Sequence, residues 1–147
     1  MNRNKINQIY EAVRKIDHVY EVWSAAHGLT LYEMQIYYII LEKEMAQITQ
    51  KELCQKLDAP KTSISSMIKR QLKTGYIEMK INPENKREKL ISLTDSGQAF
   101  AKKLIEPLFQ YEEEAASMIS EEELETAIKI QNQFADLLLR KVEQTNE

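Results

Sequence analysis

The stretch from Thr49 to Thr94, TQKELCQKLDAPKTSISSMIKRQLKTGYIEMKINPENKREKLISLT, constrains this chain more than any other part of it. Thr49 with Glu52 three residues on is a capping-box pattern, in which each side chain satisfies the other residue's backbone N–H, so a short helix begins at Gln50. That helix is expected to bury Leu53, Cys54 and Leu57. Asp58-Ala59-Pro60 reads as a turn, and Pro60 suits the first turn of a following helix because its fixed φ and missing N–H cost nothing there. Ile64, Met67, Ile68 and Leu72 recur at three- and four-residue steps as the buried face of that second helix. Gly75 ends it. Tyr76 to Ile81 then alternates, with Ile77, Met79 and Ile81 on one side, and Leu90, Ser92 and Leu93 return as a partner strand. The tip between them is Asn82-Pro83-Glu84-Asn85-Lys86-Arg87.

Long helices flank this block. From Lys5 to about Ala26, Ile6, Ile9, Tyr10, Val13, Ile16, Tyr20 and Trp23 recur in a helical stripe that His27-Gly28 stops. From about Leu31 to Lys43 a second helix is apolar nearly all round, which places it in the middle of the domain. Thr94 and Asp95 open a helix running to about Met118, with Pro107 expected to kink it. Ser120 and Glu123 form another capping box before a last helix carrying Leu124, Ala127, Ile128, Phe134, Leu137, Leu138 and Val142. The fold class is therefore mostly α with a small β-hairpin. Repeats and long linkers are absent, so residues 1–147 read as one domain, with long packing helices in 1–30 and 107–147 around a lobe at 31–106.

A net charge of −3 would argue against a polyanionic partner if it were spread evenly. It is not. Residues 49–91 hold 10 Lys and Arg against 5 Asp and Glu, net +5, whereas residues 92–147 hold 5 against 12, net −7. Lys61, Thr62, Ser63, Ser65, Ser66, Lys69 and Arg70 line the outer face of the second helix with no acid among them. Short hydroxyl side chains let a backbone approach base edges, and cations neutralise phosphates. Gln50 and Lys51 sit at the start of the preceding helix, and Lys86, Arg87 and Lys89 on the hairpin. A helix-turn-helix followed by a basic hairpin is an arrangement that sets one helix in the major groove of double-stranded DNA and a loop against the flanking backbone or minor groove.

Other chemistries find no support. One cysteine precludes an intrachain disulfide, and His18 and His27, nine residues apart, share no helical face and supply no structural zinc spacing. A reducing cytoplasm is the compartment expected. Neither a signal-peptide pattern nor an uninterrupted membrane span is visible. There is no Gly-rich phosphate loop, nucleophile–base pairing or carboxylate pair in a recognisable context, so neither an enzyme nor a cofactor is expected.

In ITQKELCQKL, the small-residue helix ending KTGYIE, the hairpin NPENKREKLISLT and the TDSG that opens the next helix, the chain resembles the MarR (multiple antibiotic resistance regulator) family. The resemblance implies a winged helix-turn-helix homodimer, held by its first and last helices, that binds operator DNA as a repressor and releases it when a small molecule binds. Transferred to this sequence, it implies dimerisation through Ile6, Ile9, Val13, Phe134, Leu137, Leu138 and Val142. It also implies an aromatic or amphipathic effector near Tyr10, Tyr20, Trp23 and Tyr37. The alternatives are a metal- or redox-responsive sensor of the same type and a winged-helix protein-interaction module. Peroxide-sensing relatives carry their cysteine in the first helix, so Cys54 reads as a small buried hydrophobe. The sequence departs from the family where Asn82 and Asn85 replace aspartates of the wing, predicting a tip that lacks a charged anchor. It departs again where Gln71 replaces a core leucine; Leu72, in phase with Ile64 and Ile68, predicts a small rotation of the buried face.

Overall fold

The computed structural model describes residues 3–44 and 47–145. Helix α1 spans Arg3–Ala26 and α2 spans Leu31–Glu42; β1 is Ile48–Thr49, α3 is Gln50–Leu57 and α4 is Lys61–Thr74. Strands β2 (Ile77–Ile81) and β3 (Lys89–Leu93) follow, then α5 (Asp95–Ser117) and α6 (Glu121–Thr145). The chain divides between Glu106 and Pro107 into two compact units, the position at which the sequence separates the 31–106 lobe from the helices of 107–147, and α5 runs through it. The first unit holds the helix-turn-helix and the wing.

The breaks in this unit follow from backbone chemistry. Gly28 takes φ +70 just past α1, with Gly28 N–H donating to Ala25 O at 3.1 Å and Leu29 N–H to Ser24 O at 3.0 Å, the paired bonds of a Schellman stop. Thr30 and Glu33, a T-x-x-E pattern in the sequence, form a capping box at the start of α2. The expected box of Thr49 and Glu52 opens α3. Asp58 closes α3 in the left-handed region at φ 46, Pro60 precedes α4, and Gly75 ends α4 at φ 76.

The sheet has three strands in the order β1-β3-β2, all antiparallel, where the sequence suggested two. Two residues of β1 are too few to show alternation, yet they pair Ile48 with Ile91. Ile91 is fully buried and is the inward residue of β3, opposite Met79 and Ile48, so the core face falls on Ile91 rather than on Leu90 and Ser92. Along β2 the burial fades from Ile77 to Ile81, which is 64% exposed as the hairpin leaves the core.

Gln71 corrects the expected rotation of α4. Ile64, Met67 and Ile68 are buried as anticipated, but the fourth buried position is Gln71 and Leu72 is only half-buried. An amide is accommodated there because the Tyr37 hydroxyl donates to Gln71 Oε1, and a buried polar pair with its bonds made costs far less than an orphaned one. Tyr37 meets Phe100 edge-on at 5.1 Å, and Phe100 stacks on Tyr76 at 4.2 Å. Burial pushes the Tyr37 phenol well above its usual range.

The TDSG segment fastens α4 to α5. The Thr94 hydroxyl accepts from Gly97 N–H at 3.1 Å and donates to Gly75 O at 2.6 Å, joining the end of one helix to the start of the next. Gly97 has a steric reason: a Cβ there would lie 1.8 Å from the Tyr76 carbonyl oxygen. In the second unit, Ser120 and Glu123 complete the expected capping box, with Glu123 N–H donating to Ser120 Oγ at 3.2 Å and Ser120 N–H to Glu123 Oε2 at 3.2 Å.

Candidate nucleic-acid interface

Helix α4 turns Ile64, Met67 and Ile68 inward, so its 3.6-residue period turns Lys61, Thr62, Ser66 and Lys69 outward, where all four are exposed. Ser63 and Ser65 lie at the margin, half-buried. Ser65 is not free, because the side-chain amide of Gln50, the first residue of α3, donates to its hydroxyl oxygen at 2.7 Å. The first turn of α3 is thereby tied to the second turn of α4.

The wing comes to the same place. Gln50, Lys51 and Cys54 of α3, Lys61 of α4, and Arg87 and Lys89 of the hairpin line a cleft of about 570 Å³, together with Thr49 and Glu88. Four cations from three elements around one concavity focus a positive potential there, with Glu88 the single acid of the lining. Lys86 stands exposed beside them on the hairpin tip. Cys54 was expected to be a buried hydrophobe; it is half-buried and faces this cleft, because the start of α4 and the wing leave that side of α3 uncovered.

Asparagines hold the hairpin tip. Asn82 Oδ1 accepts from Glu84 N–H at 3.0 Å, Asn82 Nδ2 donates to Glu88 Oε2 at 3.3 Å, and Asn85 Oδ1 accepts from Arg87 N–H at 3.2 Å. Asn82 N–H also donates to Glu88 O at 3.0 Å. The lack of an aspartate therefore does not leave the tip untied: asparagine bonds its own neighbouring backbone, as it does in turns generally.

Arg70 is exposed like the other cations of α4, but its guanidinium is also engaged with α2. Its Nε donates to Glu33 Oε1 at 2.7 Å, and the Glu33 side chain is only 8% exposed. Glu33 Oε2 simultaneously accepts from Thr30 N–H at 2.9 Å. Burial alone would raise the Glu33 pKa, but the Arg70 hydrogen bond, the Thr30 amide, the Arg70 charge and a hydrogen bond from Gln71 together hold it below its ordinary value.

The remaining sequence candidates are distributed as follows. On α1, Tyr10 is exposed; Tyr20 meets Tyr38 edge-on at 6.3 Å; Trp23 Nε1 donates to Leu104 O at 3.1 Å. Tyr37 is entirely buried with its hydroxyl bonded to Gln71, so it belongs to the core and not to the wall of an open pocket. Ile6 and Ile9 are half-buried, while Val13, Ile16, Val19 and Val22 stand exposed on α1. Phe134 is half-buried and Leu137, Leu138 and Val142 are about half exposed on α6, a helix with no buried residue. His18 pairs with Glu21 at 3.6 Å and His27 Nδ1 lies 2.7 Å from Trp23 O. Among the described residues no group of three His, Cys, Asp or Glu could hold a metal ion, and no helix is long and apolar enough to cross a membrane.

Comparison with known proteins agrees with this geometry. Residues 29–97 match a family described as the winged helix DNA-binding domain. The HTH-type transcriptional repressor YetL of Bacillus subtilis (strain 168) is 21% identical over 122 residues, covering 83% of this chain and 73% of that protein. NMB1585, a MarR family regulator from Neisseria meningitidis, superposes with a TM-score of 0.80 at 20% identity, covering 96% of this chain and 98% of that one. A cysteine-to-serine mutant of MarR from E. coli complexed with operator DNA gives a TM-score of 0.69 at 22% identity, covering 87% and 91%. The α3-turn-α4 unit, the asparagine-tied wing and these likenesses converge: residues 29–97 match the winged helix DNA-binding domain, and the chain has the winged-helix fold of the MarR family regulators on which it superposes.

Proposed function

We propose that this winged-helix protein binds DNA as a transcriptional repressor, a homodimer on an inverted-repeat operator that lets go when a small aromatic or amphipathic molecule binds. The cleft carries the reading. Gln50, Lys51, Lys61, Arg87 and Lys89 come from segments up to 39 positions apart and converge on one concavity beside the hydroxyl-bearing face of α4. A phosphate strand running between a reading helix and a wing would meet such a cluster, and the exposed hydroxyls of Thr62 and Ser66 beside the Gln50–Ser65 pair are of the kind that read base edges.

Dimerisation is supported by apolar surface that each unit leaves open. In α1, Val13, Ile16, Val19 and Val22 are 40–55% exposed; in α6, Ile128, Leu137, Leu138 and Val142 are 46–60% exposed. Such stripes on long helices favour association with a second copy, and a two-fold dimer would present two reading helices to a palindrome. Tyr10, Tyr20 and Trp23 are the α1 aromatics proposed for the effector, with Tyr37 withdrawn to the core. Selecting genomic fragments with the purified protein, beginning with the DNA upstream of its own gene, tests the assignment: enrichment of a shared inverted repeat supports it, and recovery of random sequence refutes it.

A further inference from the structure

The α2–α4 contact contains a polar ladder that DNA contact by itself does not require. Glu33 and Tyr37 are four residues apart on α2, hence on one face, and they meet the consecutive α4 residues Arg70 and Gln71. Glu33 receives Arg70 Nε at 2.7 Å on one oxygen and Thr30 N–H at 2.9 Å on the other, and the Tyr37 hydroxyl donates to Gln71 Oε1. A carboxylate buried this far is costly unless paired and fully hydrogen-bonded, so it has a strong preference for the one placement of α4 that completes its shell.

We propose, resting on the DNA-binding reading above, that Glu33 is the positioning residue of the reading helix and that Arg70 acts through it, setting the angle at which α4 meets DNA instead of contacting phosphate. The Arg70 side chain is 54% exposed, so its charge is available to phosphate in principle, but its Nε is committed to α2. The hydrogen-bond geometry of Nε fixes the direction in which the guanidinium leaves α4, and with it the turn of helix that carries Ser66 and Lys69. Gln71 locks the neighbouring position to Tyr37. A small misplacement of α4 would harm recognition of the correct base edges more than it harms contact with phosphates, which any sequence supplies.

Charge and position make opposite predictions for Glu33. Removing a negative charge near DNA should strengthen binding on electrostatics alone. Positioning requires the reverse. Glu33→Gln, Arg70→Ala and the double variant should therefore be titrated by fluorescence anisotropy against a selected operator fragment and against random duplex at several salt concentrations. Glu33→Gln keeps a capping-box side chain, and Arg70→Ala removes a half-exposed one, so both should fold, with thermal melting as the check. The expected result is a loss of roughly tenfold in the operator-to-random affinity ratio for each single variant, since residues of one network are coupled. The salt slope should match wild type, and the double variant should be no worse than Arg70→Ala. A slope lowered by about one unit in Arg70→Ala, on both DNAs, would make Arg70 a phosphate contact and overturn the proposal. Tighter operator binding by Glu33→Gln, or additive single effects, would overturn it equally. A wild-type protein that retains no duplex would refute the DNA-binding reading itself, and the two failures are distinct.

Discussion

The side-chain amide of Gln50 donates to the hydroxyl oxygen of Ser65 across 2.7 Å, so the first residue of α3 and a residue on the second turn of α4 form one polar unit at the edge of the reading face. On the proposed DNA-binding reading, Ser65 would present to DNA only what Gln50 leaves it. Ser65→Ala should release the Gln50 amide and change the rank order of operator variants, and Gln50→Ala should change it in the same way. The double variant should add little to either, because the two residues share one interaction. Anisotropy titrations over a panel of single-base operator variants check this; an unchanged ranking in Ser65→Ala would exclude the pair from sequence reading.

Arg87 of the wing and Lys61 of α4 both line the cationic cleft. Arg87→Ala should weaken operator binding by roughly tenfold at low salt, and each of Arg87→Ala and Lys61→Ala should lower the salt slope by about one unit. Asn85→Asp retains the acceptor for Arg87 N–H and should leave affinity close to wild type, whereas Asn85→Ala frees the tip and weakens binding, since ordering a loop on contact costs roughly 1–2 kcal/mol per backbone residue fixed. Titration at two salt concentrations separates these effects. An Arg87→Ala protein that binds like wild type would place the wing away from DNA.

Acid should loosen the α2–α4 junction. The Glu33 carboxyl is held below its ordinary 4.5 in the folded chain, so the folded state binds fewer protons there than the unfolded state does. Its contribution to stability is complete above that ordinary, unfolded-state value and is lost as pH falls through the depressed folded value. The stability advantage of wild type over Glu33→Gln, measured by urea unfolding, should be largest near neutral pH and shrink in the acid range below the ordinary carboxylate value. A gap that stays constant through this range would mean that the ion pair with Arg70 is not its source.

Gly97→Ala should destabilise the first unit by about 1–3 kcal/mol or more, because the added methyl would sit 1.8 Å from the Tyr76 carbonyl oxygen and 2.6 Å from its carbon. Backbone cannot give way as a flexible side-chain end can. The midpoint of thermal unfolding should fall clearly, and an unchanged midpoint would contradict the packing described for the α4–α5 junction.

Local chemistry made much of this fold readable. Gly28, Gly75 and the Thr49–Glu52 and Ser120–Glu123 boxes are local signals, and the elements begin and end where those signals place them. What escaped depends on distant partners. Ile48 reveals itself as a strand residue only through Ile91, 43 positions on. Gln71 looks misplaced in a core until Tyr37 is set opposite it, and Arg70 looks like one more outward cation until Glu33 meets it from 37 positions away. In the candidate interface, residue types and the outward face of α4 were legible from period and charge, while the convergence of Arg87 and Lys89 with Gln50 and Lys51 required the hairpin to be folded.

Hydroxyl-radical footprinting of the wild-type protein on a genomic fragment it selects tests the central claim most directly. A homodimer with one α4 per protomer should protect two equivalent segments related by two-fold symmetry, their centres about 10 base pairs apart or a multiple of that. Protection of one isolated, unsymmetrical segment, or none at all, would contradict the account.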